Sequence, residues 1–327
     1  MKALMLEAPH LLTVAEREVP VPGSGEVLVR MLGVGICGSD LSVFYGHREV
    51  PYYPWQMGHE GVGEIVALGS DVVGRSVGER VVIEPNYCCF SCSECRKGNT
   101  SGCLNRVIVG MKVPGVMAEF AVVPAAFAWR APAGLTLAEL ICLEPLTVGV
   151  AAMRRSQIQK GERCLVVGAG STGLLLLGLL VARGFDAHFV EVNPQRSQLA
   201  TELGALPHQE RNSGYYDKVF ETSGSEGGFE TALASAAPGA TVVLIGLASH
   251  AVHVIPADIV RRRLTLVGSM IYDHPIDFAT TVGEAPNFLH KVVQARFGLE
   301  DAQRAFEQAH EVPGKSWISI VDEGDLP

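Results

Sequence analysis

Four cysteines, Cys89, Cys92, Cys95 and Cys103, crowd into one short stretch of a chain that has eight. Their C-x2-C-x2-C-x7-C spacing lets a single loop curl around an ion, and four thiolates suit a tetrahedral Zn²⁺ with no open position. An iron–sulfur cluster is the other metal chemistry such a set serves. Arg96, Lys97, Asn99 and Thr100 make the segment too polar for four core thiols. A closed site of this kind braces a loop, so the chemistry must lie elsewhere.

A second constellation is spread more widely. Gly35-Ile36-Cys37-Gly38-Ser39-Asp40 and Gly58-His59-Glu60-Gly61 supply a thiolate, an imidazole and a carboxylate, and Leu143-Glu144-Pro145-Leu146 supplies another carboxylate in an apolar stretch. Taken singly, Cys37 reads as a core thiol, His59 as a turn residue and Glu144 as a helix-end charge. Together they are an incomplete ligand set, leaving one position for water or substrate, as catalytic zinc requires.

The third signal is Gly168-Ala169-Gly170-Ser171-Thr172-Gly173, directly after an apolar run. In a G-x-G-x-x-G turn the first glycine permits the tight turn, the second lets a pyrophosphate approach the backbone, and the third lets the helix pack on the sheet. The helix N-terminus then faces the phosphates. Glu191 ends the next strand, where a carboxylate accepts hydrogen bonds from the adenosine ribose hydroxyls. Its charge disfavours a 2′-phosphate, so NAD is expected over NADP, with Arg196 the nearby cation that a 2′-phosphate would use.

These residues need two kinds of scaffold. Segments 26–32, 61–68, 80–84 and 118–123 read as Val-rich strands separated by Gly and Pro, the texture of an antiparallel, barrel-like domain. From about Leu146 strands at 163–167, 187–192, 218–221 and 241–245 alternate with helices at 173–183, 195–203 and 229–236, which predicts a parallel sheet covered on both faces. The tail, read as helices at 287–294 and 299–309 and a strand at 317–321, is expected to return to the first domain. The fold class is therefore α/β in two domains.

Composition narrows the function. A net charge of −9 with Arg261-Arg262-Arg263 as the one basic cluster excludes a nucleic-acid binder. The uncharged run 164–182 has the length of a membrane span, but its glycine spacing assigns it to strand, turn and helix. The apolar stretch after Met1 and Lys2 is interrupted at Glu7, too soon for a secretory signal. A cytoplasmic protein with reduced thiols and no membrane partner is expected.

In order along the chain, G-I-C-G-S-D, G-H-E-x-x-G, the four-cysteine lobe, E-P-L and G-x-G-x-x-G resemble the zinc-dependent medium-chain dehydrogenase/reductase family, the alcohol and polyol dehydrogenases. The resemblance covers nearly the whole chain, and its Glu-Pro-Leu form is closer to the sorbitol and polyol enzymes. It implies a GroES-like catalytic domain over 1–147 and 277–327, with a structural zinc lobe at about 86–104, and a Rossmann cofactor domain over 148–276. It implies a catalytic zinc on Cys37 and His59, with Glu60 or Glu144 as a further ligand, and a structural zinc on Cys89, Cys92, Cys95 and Cys103. Ser39 would hydrogen-bond the hydroxyl substrate and Asp40 would support the site. Phe44, Tyr45, Trp55 and Met270 are candidates for the pocket or for the core.

The family's assembly is a dimer or tetramer. One departure is chemical: many relatives carry a histidine three residues after the motif's Ser or Thr as the outer end of a proton relay, and here Ser42 stands there, with His47 as a substitute candidate. The expected activity is NAD-dependent oxidation of a secondary hydroxyl on a polyol, sugar or cyclitol. The alternatives are a dehydrogenase of simple secondary alcohols or aldehydes and a cofactor-binding regulatory protein that has kept the fold.

Overall fold

The computed structural model describes residues 1–209, 214–248 and 251–321. The chain divides into two units, Met1–Glu144 with Val293–Pro327, and Pro145–Val292.

The first unit is organised by the strand Glu26–Gly35, whose Val and Leu side chains are buried on both faces. It pairs antiparallel with Glu60–Leu68, Phe120–Pro124 and Lys315–Ser319. Arg80–Ile83 and Ala128–Arg130 extend the sheet on one side, and Val293–Gly298 extends it on the other, giving seven strands among the described residues. Leu4, Val29, Met31, Ile65, Ile83 and Phe306 contribute to the core beneath it. The register sets Gly35 opposite Glu60 on one neighbour and Trp317 on the other, which brings three distant stretches of chain to one strand end.

The tail does return to this sheet, but not as expected in detail. Only Leu289–Val292 of the anticipated helix at 287–294 is helical. Val293–Gly298 is a strand, its burial alternating residue by residue, parallel to Lys315–Ser319. Period two prevailed because every second side chain faces the core. The second unit also runs past the expected junction at 276, to Val292, because Phe288 packs directly over Gly178 of the helix Ser171–Ala182.

The second unit holds a six-stranded parallel sheet among the described residues, in the spatial order Leu206–Pro207, Asp186–Val190, Arg163–Val167, Tyr216–Glu221, Ala236–Leu244, Thr265–Gly268. Strand order reverses beside Arg163–Val167, and the crevice at the carboxyl ends there is where such sheets bind ligands. The run that resembles a membrane span is that strand plus the helix Ser171–Ala182. Residues 174–180 of this helix are buried all round, which explains an apolar sequence with no polar face. Among the described residues no helix is long and apolar enough to cross a membrane.

Candidate active site

Beyond Gly35 the chain turns into a short helix, Gly38–Phe44, for which Cys37 is the N-cap residue with extended backbone. Asp40, fully buried in the first turn, organises what surrounds it. Its Oδ2 accepts the Cys37 amide at 3.0 Å, and its Oδ1 lies 3.1 Å from His59 Nδ1. A carboxylate on one ring nitrogen places the proton there and leaves Nε2 with its lone pair, the arrangement that orients a metal-ligating histidine. Nε2 sits 3.5 Å from Ser39 Oγ. Cys37, His59 and Glu60 each present a ligand atom within 4.8 Å of the others.

Glu60 can occupy this position because residue 35 is glycine: a Cβ there would stand 2.0 Å from Glu60 Oε2. The carboxyl is buried, its Oε1 has no hydrogen-bond partner, and its Oε2 is paired with the ammonium of Lys315. Lys315 also donates to the Ile36 carbonyl at 2.9 Å. Burial opposes the charge on Lys315, yet Glu60 and then Cys37 outweigh it and push its pKa up. His59 behaves in the same way: burial works against the imidazolium, but Asp40 and then Cys37 raise its pKa well above the ordinary value. Three acidic side chains thus share one dry pocket and draw positive charge into it. A sulfur, a nitrogen and an orphaned carboxylate oxygen are a donor set that fits zinc. Glu144 is also buried, in the first turn of the helix Leu143–Ser156, but lies outside this three-residue set.

The four-cysteine segment forms the other such group among the described residues. Cys92 is N-cap to the short helix Ser93–Arg96, and the Cys89 and Cys92 amides donate to Cys103 Sγ and Cys89 Sγ at 3.3 and 3.4 Å. Hydrogen bonds from Ser91, from the Ser91 and Cys92 amides and from Asn105 bring the Cys89 thiol down to about 5. Thiolates held by amides in a loop with no disulfide fit a four-coordinate zinc. Neighbouring Cys88 is buried, with its pKa raised by desolvation, as a core thiol is.

In the second unit, Gly168 has φ +93°, and a Cβ at Gly173 would lie 2.1 Å from the Gly168 carbonyl. Both glycines are therefore required by the turn itself. Around Gly170, the N-cap of the helix Ser171–Ala182, there is open space instead, as a bound phosphate needs. A cleft of about 550 Å³ opens here, lined by Gly168, Gly170, Glu191, Arg196, Thr222 and Ser225 among others. Glu191 stands just past the strand Asp186–Val190, its two oxygens accepting the Ala169 amide at 2.7 Å and the Asn193 amide at 2.8 Å. Arg196 is on the same rim, in the helix Pro194–Glu202 capped by Asn193. Ser171 and Thr172 occupy the first turn of the glycine-turn helix.

Two stretches match described families: residues 23–133 match the alcohol dehydrogenase GroES-like domain, and residues 171–285 the zinc-binding dehydrogenase domain. L-galactonate-5-dehydrogenase of Escherichia coli K12 is 30% identical over 85% of this chain and 85% of its own length. The chain belongs to the zinc-type medium-chain alcohol dehydrogenases. Among solved members, the rspB alcohol dehydrogenase of E. coli CFT073, complexed with NADH, superposes with TM-score 0.89 at 26% identity, covering 98% of this chain and 99% of that one. A putative zinc-binding dehydrogenase of Sinorhizobium meliloti 1021, bound to NADP, gives 0.88 at 26% identity over 98% and 99%. The protein is accordingly an oxidoreductase of the alcohol and polyol dehydrogenase type, with a GroES-like domain, a Rossmann sheet, a nicotinamide cofactor and a small-molecule substrate.

Within this dehydrogenase two pocket candidates prove to be core. Phe44 packs on Phe306 at 5.4 Å between ring centroids, and buried Trp55 donates its Nε1 to the Gly110 carbonyl at 2.7 Å. Tyr45 is half-buried and Met270 exposed. Ser42 Oγ is turned to the Gly38 carbonyl at 3.1 Å, and exposed His47 reaches Ser42 only through its backbone amide. The residue that sequence reasoning missed is Lys315. The available signal was a lysine introducing the apolar run Trp317-Ile318-Ser319-Ile320 in a tail expected to rejoin the first sheet.

Proposed function

We propose that the enzyme oxidises a secondary hydroxyl of a polyol, sugar or cyclitol with NAD⁺, using the unit built on Met1–Glu144 and Val293–Pro327 as catalytic domain and Pro145–Val292 as cofactor domain. The observation that carries this reading is the buried Cys37, His59 and Glu60 set with an orphaned carboxylate oxygen. One zinc would be held there, with Glu144 as a candidate additional ligand, and a second by Cys89, Cys92, Cys95 and Cys103. Zinc in the first site supplies Lewis acidity toward the reacting oxygen, and the nicotinamide supplies the hydride acceptor.

The chain's own groups do the rest. Asp40 holds the His59 ring in one orientation and tautomer. Ser39, at the start of the helix beside His59, receives the substrate hydroxyl in a hydrogen bond and passes its proton toward solvent. Burial of Asp40, His59 and Glu60 keeps bulk water from the reacting carbon. Glu191 and Arg196 grip the adenosine ribose while Gly168, Gly170, Ser171, Thr172 and Gly173 receive the pyrophosphate. The sugar-acid specificity named for L-galactonate-5-dehydrogenase supports a polyhydroxylated substrate. Free thiols throughout accord with a cytoplasmic location. Exposed Leu266 on the terminal strand Thr265–Gly268 accords with a homodimer or homotetramer, read by light scattering.

The deciding experiment is a panel of polyols, inositols, aminocyclitols, sugars and plain alcohols assayed for NAD⁺ reduction by zinc-loaded protein. Turnover confined to plain alcohols would replace the polyol assignment. In the same assay NAD⁺ is expected to exceed NADP⁺ in kcat/KM by on the order of 10²-fold, since Glu191 would face the 2′-phosphate with like charge. Equal values would mean that Arg196 governs the ribose end. Ser39→Ala is expected to lower kcat by roughly 10²-fold or more with zinc content unchanged. Near-normal kcat would move the proton-accepting role to Glu60 or Glu144.

A further inference from the structure

Two arginines of the first unit have no acidic partner among the described residues, although the chain is acidic overall. Arg48 is half-buried and its guanidinium makes no hydrogen bond or ion pair, even with Glu49 next to it in sequence. Arg106 is half-buried as well. It reaches the Ser101 carbonyl through Nη1, and its Nε is buried with no partner. A desolvated donor left unsatisfied destabilises the fold, so it calls for an explanation, and a ligand is one. Burial, and then the charge of Arg48, depress the Arg106 pKa against the pull of Cys103, which means that the two guanidinium groups lie within electrostatic reach of each other. Lys112 adds a third cation on the same segment, its Nζ donating to the Arg106 carbonyl at 3.2 Å.

The backbone explains why these charges meet, and where. Arg48 lies on the link between the helix Gly38–Phe44, which carries Ser39, and Trp55, from which the chain runs on to His59. Its amide is bonded to the Ser42 carbonyl at 3.0 Å. The segment that follows Arg106 lies alongside that chain: Trp55 Nε1 donates to Gly110 at 2.7 Å, Gly115 donates to Gln56 at 2.9 Å, and Val116 donates to Gly58 at 3.0 Å. Both arginines therefore stand on the two loops that lead into the Cys37, His59 and Glu60 set.

We infer that Arg48 and Arg106 form an oxyanion subsite beside the metal-ligand set, so that the hydroxyl substrate is a polyol carrying a terminal carboxylate or phosphate. Guanidinium groups present paired N–H donors that match both oxyanions, and charge-assisted bonds of this kind are the stronger class. A neutral polyol would leave two positive charges facing each other, whereas a terminal oxyanion satisfies the buried Nε and screens their repulsion. This inference rests on the polyol dehydrogenase reading and names its substrate class.

The test compares matched substrates on zinc-loaded enzyme with NAD⁺: galactitol, galactonate and galactitol 1-phosphate. The anionic compounds are expected to exceed galactitol in kcat/KM by about 10- to 100-fold, mainly through KM. A larger advantage for the phosphate identifies it as the natural terminus, and a larger one for galactonate identifies a carboxylate. Arg48→Gln and Arg106→Gln should each lower the anionic-to-neutral ratio by about 10-fold or more, with Arg106→Lys retaining part of it. Galactitol oxidised as well as either anion by the wild type would overturn the inference while leaving the polyol reading intact. If none of the three is oxidised, the polyol reading fails, and calorimetric titration with galactonate and inorganic phosphate still decides on the subsite. Binding that weakens about 10-fold in both glutamine variants supports it, and no binding, or binding indifferent to them, refutes it. Arg48 sits outside the cysteine lobe, so Arg48→Gln tests the site even if the lobe does not tolerate a change at Arg106.

Discussion

Cys37→Ala is expected to leave the protein folded, with one zinc ion in place of two and no useful turnover. Cys37 supplies the sulfur of a three-residue set whose remaining donors, His59 and Glu60, already have protein partners in Asp40 and Lys315. Without the thiolate, those partners compete successfully with the metal. Lewis-acid stabilisation is worth several kcal/mol, and at about 1.4 kcal/mol per tenfold the loss is roughly 10³-fold or more in kcat/KM. The matched variant Cys92→Ala should behave in the opposite way. It should also lose one zinc but keep much of its activity, with stability reduced by roughly 2–4 kcal/mol, the range for removing a cross-link that closes a short loop. Metal analysis, steady-state kinetics and urea unfolding on the two variants form the measurement. A single zinc in fully loaded wild type, or equal loss of activity in both variants, would contradict separate roles for the two sites.

Lys315→Met should destabilise the protein by about 3–5 kcal/mol, the cost of leaving a buried carboxylate without its counter-ion. Glu60 and Lys315 are each about 1% exposed, so water cannot replace the lost ammonium. Methionine keeps most of the volume, which separates the charge effect from a cavity. Adding Glu60→Gln to Lys315→Met should recover most of the loss, because removing both charges of a buried pair is far cheaper than removing one. Loading with zinc should also narrow the difference from wild type, since a cation then faces Glu60 again. Urea titrations of the single and double variants, with and without zinc, give the full cycle. An unchanged midpoint for Lys315→Met would show that Glu60 is protonated in the folded protein, and that the pair contributes nothing as ions.

Local constraints were legible in the residues because they act over a few positions. The glycine turn is an example: Gly168 needs its positive φ and Gly173 its missing Cβ within one turn of chain, so spacing alone identifies the motif. The four cysteines are another, closing on one loop with no contribution from elsewhere. The alternation of strand and helix from residue 163 onward was also readable, because buried parallel strands and covering helices carry distinct apolar periods.

Where a short segment has to choose its period from its neighbours, the residues mislead. Val293–Gly298 follows directly on the helical turn Leu289–Val292, and only the free edge of the Lys315–Ser319 strand makes it extended. Phe44 and Trp55 look like pocket aromatics beside a catalytic motif, and tertiary packing turns them into core.

The sequence by itself determined the two-domain α/β class, the cofactor turn, the cysteine lobe and the identity of Cys37, His59 and Glu60 as potential ligands. Each of these is written in residue type and short spacing. Only the tertiary structure decided that Glu60 faces Lys315 rather than open space, that Asp40 orients His59, that Glu144 stands apart from the three-residue set, and that Arg48 and Arg106 share a field. Those relations join positions 19 to 279 residues apart, as in the His59–Asp40 contact and the Lys315 bond to Ile36. They are fixed by sheet register and by the low dielectric of a buried pocket, where a charge must find a partner wherever the fold brings one within reach.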